Sequence, residues 1–241
     1  MASSQCCENP PTLNPAAGAG SVLEDFGGLR AYVTGDSESN CAIILASDIY
    51  GFESPNLRKI GDDVGASGFF VVVPDFFYGD PFVLDDDAER TRPIWLQAHA
   101  PEKGAEDAKS VIVALKNKGI TSIGVAGFCW GAKVVVELAK SSEIQAGVLL
   151  HPSFVSVDDI KDVKSPIAIL GAEFDHLSPP QLVKQYEEIL SQNSGIDSFV
   201  KIFPGVAHGW AVRWQVDDDF AIKSAEEAHK DMLDWFLKHI K

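Results

Sequence analysis

The chain has 241 residues, 46% of them hydrophobic and 23% charged, with a formal net charge of −15 at pH 7. That length and balance suit one globular domain whose core needs no disulfide staples. The acidic excess excludes a phosphate-binding surface of clustered Lys and Arg and argues against docking on anionic lipid, so neither nucleic acid nor membrane is an expected partner.

Residues 1–20 are rich in Pro, Ala, Gly and Ser and read as a flexible tail, without the basic start and apolar core of a secretory signal. Cys6 and Cys7 lie in this tail, and no His or Cys follows at ligand spacing, so no metal is expected. No apolar run approaches a membrane span, and the expected location is cytoplasmic, with reduced thiols. Residues 21–241 read as a single domain. Strand-like stretches at 29–33 and 41–46 are separated by Gly35-Asp36-Ser37. Ser54-Pro55 signals a helix start, and Leu57, Ile60 and Val64 carry helical spacing to about Ala66. Residues 69–73 form a buried strand, closed by Pro74-Asp75.

The stretch 75–101 differs in character, holding Phe76, Phe77, Tyr78, Pro81, Phe82 and Trp95 among Pro and Asp, and reads as an irregular lid or binding loop. Beyond it the pattern predicts a helix over 102–117, a strand over 122–126, a helix to about Lys140, strands at 146–150 and 167–170, a helix over 180–190 and a strand at 199–203. The last helix, 219–239, puts Met232, Trp235, Phe236 and Ile240 on one face. Its His229 and His239 are expected to face water. Strands alternating with helices predict a mostly parallel sheet covered on both faces.

In such a sheet functional groups gather at the C-terminal ends of strands. Gly127-Phe128-Cys129-Trp130-Gly131 follows one strand and opens a helix, with the G-x-C-x-G form of a nucleophile elbow in which Cys replaces Ser. Asp175 follows the strand at 167–170 and His208 the strand at 199–203, giving the chain order nucleophile, acid, histidine of the α/β-hydrolase fold. His208 would remove and return protons, and Asp175 would orient its ring, with His151 and Glu173 as rivals for those two roles. In this fold the oxyanion hole takes one N–H from the loop Ser47-Asp48-Ile49-Tyr50-Gly51 and one from the residue after the nucleophile, which points to Ile49 and Trp130.

Asp48-Ile49-Tyr50-Gly51, Pro74-Asp75, the elbow, Gly171-Ala172-Glu173-Phe174-Asp175 and His208-Gly209-Trp210 together resemble the dienelactone hydrolase (carboxymethylenebutenolidase) family from about residue 28 onward. The nearer likeness is to its plant branch, often labelled endo-1,3;1,4-β-D-glucanase, whose N-terminus also resembles Cys6-Cys7-Glu8-Asn9-Pro10-Pro11. The resemblance implies a Cys-His-Asp triad of Cys129, His208 and Asp175, no cofactor, and a small ester or lactone substrate. It also implies that Asp48 pairs with the resting thiol and helps to generate thiolate. The bacterial pattern has Glu in that position and an Arg after the Pro-Asp-aromatic segment that grips a substrate carboxylate. Here Pro74-Asp75-Phe76-Phe77-Tyr78-Gly79 has none, and Arg213 is the candidate for a second anion-binding role. Asp48, Tyr50, Tyr78, Trp210 and Arg213 are therefore the expected thiol-activating or substrate-binding set, in a monomer or homodimer. A β-glucanase, a cyclase or lyase using His208 as base, and a ligand-binding protein on the same scaffold are the alternatives.

Overall fold

A computed structural model describes residues 4–85 and 87–241. Eight strands form one sheet: β1 (Ser21–Phe26), β2 (Leu29–Gly35), β3 (Cys41–Ala46), β4 (Phe70–Pro74), β5 (Ser122–Phe128), β6 (Ala146–Leu150), β7 (Ile167–Phe174) and β8 (Ser198–Ala207). Their order is β1-β2-β4-β3-β5-β6-β7-β8. β2 pairs antiparallel with both β1 and β4, and every later pairing is parallel. The helices are α1 (Pro55–Gly65), α2 (Ala88–Ala98), α3 (Pro101–Asn117), α4 (Trp130–Ala139), α5 (Val157–Lys161), α6 (Pro180–Gln192) and α7 (Asp219–His239). This is the α/β-hydrolase architecture that the alternating pattern predicts.

The central strands are fully buried apolar runs because helices cover both faces, and each face carries its own core. On one side Ile44, Val72, Val125 and Leu149 pack with α3 and α4; on the other Ile43, Val71, Val148 and Leu170 pack with Leu57 of α1 and Met232 and Phe236 of α7. Lys133 of α4 and Lys140, which caps its C-terminus, converge on Asp159 of α5 at 2.8 and 2.7 Å, tying the two helices together.

Three local differences from the sequence reading matter. Segment 4–20, expected to be loose, is fastened: Arg58 donates to the carbonyls of Pro15 and Ala17, and Cys6 and Cys7 are buried in a 3₁₀ turn, Ser4–Cys7. Residues 1–3 of the expected tail lie outside the described residues. The stretch 75–101 contains α2, with Pro93 inside it, and its Phe77 and Trp95 rings pack at 4.8 Å. His229, expected to face water, turns inward to bond the Ala211 carbonyl at 2.6 Å, and burial presses its pKa down to about 4. No helix among the described residues is long and apolar enough to cross a membrane.

Candidate active site

β5 runs straight into the elbow. Cys129 adopts φ 52° and ψ −107°, a backbone region that costs a non-glycine residue about 1–3 kcal/mol. The flanking glycines make the turn possible. A Cβ on Gly127 would stand 2.1 Å from the Gly131 carbonyl oxygen, and one on Gly131 would stand 2.2 Å from that of Ala46. Trp130 is the first residue of α4, so its N–H has no acceptor within the helix and lies at the positive end of the helix dipole. Its indole packs against Phe77 at 4.8 Å and donates to the His99 carbonyl at 2.8 Å, joining the elbow to the 75–101 segment.

The Cys129 side chain is fully buried, with its sulfur 3.2 Å from the Ser153 hydroxyl. The Ser153 N–H donates to the Cys129 carbonyl at 3.1 Å, which fixes that hydroxyl beside the elbow. Ser153 sits three residues beyond β6, the parallel neighbour of β5, so its place follows from register. The sequence reading stopped at His151 and missed it; the end of the adjacent strand was the available signal.

His208 and Asp175 meet across the ends of β8 and β7, Nδ1 to Oδ2, at 2.8 Å, both side chains shut off from solvent. The other Asp175 oxygen accepts from the Leu177 and Ser178 N–H groups at 2.8 and 3.1 Å. Burial disfavours the Asp175 charge, but the His208 bond and charge and these two N–H donors outweigh it and lower its pKa. Burial also opposes a charged His208, yet the Cys129 sulfur and Asp175 push its pKa up to about 9. His208 Nε2 has no hydrogen-bond partner among the described residues. Neither rival matches this geometry. Glu173 is exposed and accepts from the Gly205 N–H at 2.7 Å. His151 is buried edge-on to the His208 ring at 5.0 Å, and burial, followed by the charges of His208 and Arg213, keeps it neutral. Trp210 packs behind His151 at 5.3 Å.

Asp48 is buried one strand away, after β3. One oxygen accepts from the Tyr50 N–H at 3.0 Å and the other lies 3.4 Å from Arg213 Nε. Burial raises its pKa, against Arg213, the Tyr50 N–H and His208. Its observed partner is thus the guanidinium, while the sulfur faces Ser153. Ile49 lies in the same turn and its carbonyl accepts from the Phe82 N–H at 2.9 Å. Arg213 Nη1 donates to the carbonyls of Cys6 and Glu8, and the Tyr50 hydroxyl to that of Cys7. Tyr78 does not join this group. It is 56% exposed and bonds Asp107 of α3 at 2.8 Å, because Asp75 caps the Phe77 and Gly79 N–H groups in a turn that points Phe76 and Phe77 inward and Tyr78 out. A surface cleft runs along Glu8, His208, Trp210, Arg213 and Phe220. Among the described residues, no group of three or more His, Cys, Asp or Glu side chains could hold a metal ion.

The sequence model of the dienelactone hydrolase family matches residues 29–240, which hold seven of the eight strands together with Asp48, Cys129, Asp175, His208 and Arg213. The chain belongs to the dienelactone hydrolase family. It is accordingly an ester- or lactone-hydrolase type of enzyme. A Zea mays protein named endo-1,3;1,4-beta-D-glucanase is 48% identical over 196 residues, 79% of this chain but 63% of its own length, so the match spans less than two thirds of that relative. The carboxymethylenebutenolidase homolog of Xenopus tropicalis is 36% identical over 88% of both chains. Among solved structures, a putative dienelactone hydrolase from Klebsiella pneumoniae shares the fold with a TM-score of 0.72, at 17% identity over 88% of this chain and 93% of that one. Dienelactone hydrolases are thus its relatives by both sequence and fold.

Proposed function

We propose that this dienelactone hydrolase family member cleaves a small ester or lactone through a thioester on Cys129, with His208 as acid and base and Asp175 as its orienting partner. The observation that carries the reading is the buried 2.8 Å His208–Asp175 pair beside a cysteine held at an elbow. The Cys129 thiolate adds to the substrate carbonyl, and the Ile49 and Trp130 N–H groups receive the oxyanion. The tetrahedral intermediate collapses to the thioester as the leaving alkoxide takes a proton. A His208 that keeps its proton up to about pH 9 supplies it at neutral pH. The neutral imidazole then draws a proton from water, which attacks the thioester and releases acid and free Cys129. Trp210 and His151 back the imidazole, and Tyr50, Arg213 and Asp48 line the carbonyl side. A cytoplasmic setting suits the enzyme, whose four cysteines are all unpaired.

The maize relative's name raises a glucanase reading. Glycoside hydrolysis ordinarily uses two carboxyl groups flanking the bond. The buried carboxylates that follow the strands are committed, Asp175 to His208, Asp48 to Arg213 and Asp75 to the Phe77 and Gly79 N–H groups. A panel of p-nitrophenyl esters and lactones of graded size, run on wild type and Cys129→Ala, tests the proposal beside a mixed-linkage glucan assay. Ester turnover lost in the variant supports it. Reducing-sugar release that survives Cys129→Ala sinks it.

A further inference from the structure

The sequence has four cysteines, and three of them, Cys6, Cys7 and Cys129, are buried in the core on the same face of the sheet. Cys6 and Cys7 arrive there on the N-terminal strap, which is fastened across several loops. The Gln5 side chain donates to the Phe174 carbonyl and accepts from the His176 N–H, at 2.6 and 2.7 Å. The Cys6 carbonyl accepts from Arg213 at 2.9 Å and the Cys7 carbonyl from Tyr50 at 2.7 Å. Within this frame the two sulfurs face each other at 3.3 Å, and Arg92 of α2 donates to Cys7 Sγ at 3.5 Å. The hydrolytic steps proposed above use none of these three groups.

We propose that Cys6 and Cys7 are an oxidation site for hydroperoxides, a vicinal dithiol that closes to a Cys6–Cys7 disulfide. The two thiols differ in the way this chemistry requires. The hydrogen bond from Cys6, opposed by burial but helped by Arg92 and Arg213, lowers Cys7 to about 6. The same contact and burial raise Cys6, which holds its proton. The Cys7 thiolate therefore attacks hydrogen peroxide: an S–O bond forms, the O–O bond breaks, and hydroxide leaves to take a proton from solvent. Cys6 then attacks the Cys7 sulfenic acid. The S–S bond forms, the S–O bond breaks, and the hydroxyl departs as water with the Cys6 proton. The two thiols supply two electrons, and one peroxide becomes two waters.

A disulfide of about 2.0 Å draws the sulfurs together from 3.3 Å and forces the 3₁₀ turn to rearrange. The Cys6 and Cys7 carbonyls then move off Arg213 and Tyr50, so oxidation loosens the strap over the site.

Treating the full chain with substoichiometric hydrogen peroxide, blocking free thiols with N-ethylmaleimide and mapping peptides by mass tests this. The expected result is joint loss of Cys6 and Cys7 labelling, with the peptide lighter by two hydrogens and restored by dithiothreitol, before Cys129 changes. Cys6→Ser should leave a sulfenic acid on Cys7 that dimedone traps. Arg92→Gln should slow closure about threefold, because the gain in thiolate fraction is partly offset by lower intrinsic nucleophilicity. Cys7→Ser should slow loss of Cys6 labelling by at least about tenfold. Persistent labelling of both cysteines, prior oxidation of Cys129, or a disulfide that includes Cys129 would each overturn the proposal. The readout is mass and not turnover, so it stands apart from whether Cys129 hydrolyses esters. Circular dichroism and melting of the serine variants check that the body stays folded.

Discussion

The sulfur of Cys129 lies 3.2 Å from the hydroxyl of Ser153, while His208 Nε2 has no hydrogen-bond partner among the described residues. The resting sulfur contacts the serine and is also near enough to His208 to raise its pKa. Removing one hydrogen bond of about 1 kcal/mol changes an equilibrium about fivefold. Ser153→Ala should therefore raise the rate of iodoacetamide alkylation of Cys129 a few-fold at pH 7. Alkylation kinetics followed by peptide mapping check this; an unchanged rate would remove Ser153 from the thiol's control, and a lowered rate would make its hydroxyl a donor that favours the thiolate.

Loss of the base should cost more than loss of its orienting acid. His208→Ala should lower kcat by about 10²–10⁴, and Asp175→Asn by less, because it removes the orienting carboxylate but leaves the imidazole itself in the site. Steady-state hydrolysis of p-nitrophenyl acetate gives both numbers. Equal activity in wild type and His208→Ala would end the assignment.

The charged pair also sets a pH window for stability. His208 is raised from about 6.5 to about 9, so its contribution is complete below about pH 6.5 and fades as pH rises through about 9. Asp175 is lowered, so its contribution is complete above about pH 3.9 and fades as pH falls through its depressed folded value. The melting temperature of wild type minus that of His208→Gln should therefore be largest between about pH 4 and 6.5 and shrink toward pH 9. Thermal melts in matched ionic strength across that range check the sign.

Gly131→Ala should be among the most damaging small substitutions, since its Cβ would sit 2.2 Å from the Ala46 carbonyl oxygen, a backbone atom with no rotamer to escape into. A loss of about 3 kcal/mol or more, roughly 6–12 °C in melting temperature for a domain of this size, is expected, and differential scanning fluorimetry measures it.

Tyr78→Phe serves as the contrast. Its hydroxyl bonds Asp107 and Lys103 on an exposed surface, worth less than about 1 kcal/mol. kcat/KM for small esters should stay within about twofold of wild type, and a large rise in KM would return Tyr78 to the substrate pocket.

The turn at Cys129 and the meeting of Asp175 with His208 were legible because each residue comes at or just beyond the end of a stretch whose pattern already reads as a strand, and because the glycines around Cys129 leave few other backbones open to that turn. Tyr78 lies apart from the other expected site residues for a physical reason. A Pro-Asp-Phe-Phe-Tyr-Gly stretch does not disclose which aromatics turn inward until Asp75 is seen capping the N–H groups of Phe77 and Gly79. β1 escaped notice because Ser-Val-Leu-Glu-Asp-Phe has neither an apolar run nor clean alternation, as suits an exposed edge strand. α2 was hidden by its internal Pro93. The meeting of Arg92 with the Cys6–Cys7 strap carries no local signature; only the fold brings α2 to Cys7, whereas Ser153 reaches Cys129 through the register of neighbouring strands.

Gln5 grips the chain on both sides of Asp175, through the Phe174 carbonyl and the His176 N–H. One side chain from the Ser4–Cys7 turn thus braces, from far away in sequence, the loop that aims His208, so the start of the described chain takes part in the geometry of the pair without taking part in its chemistry.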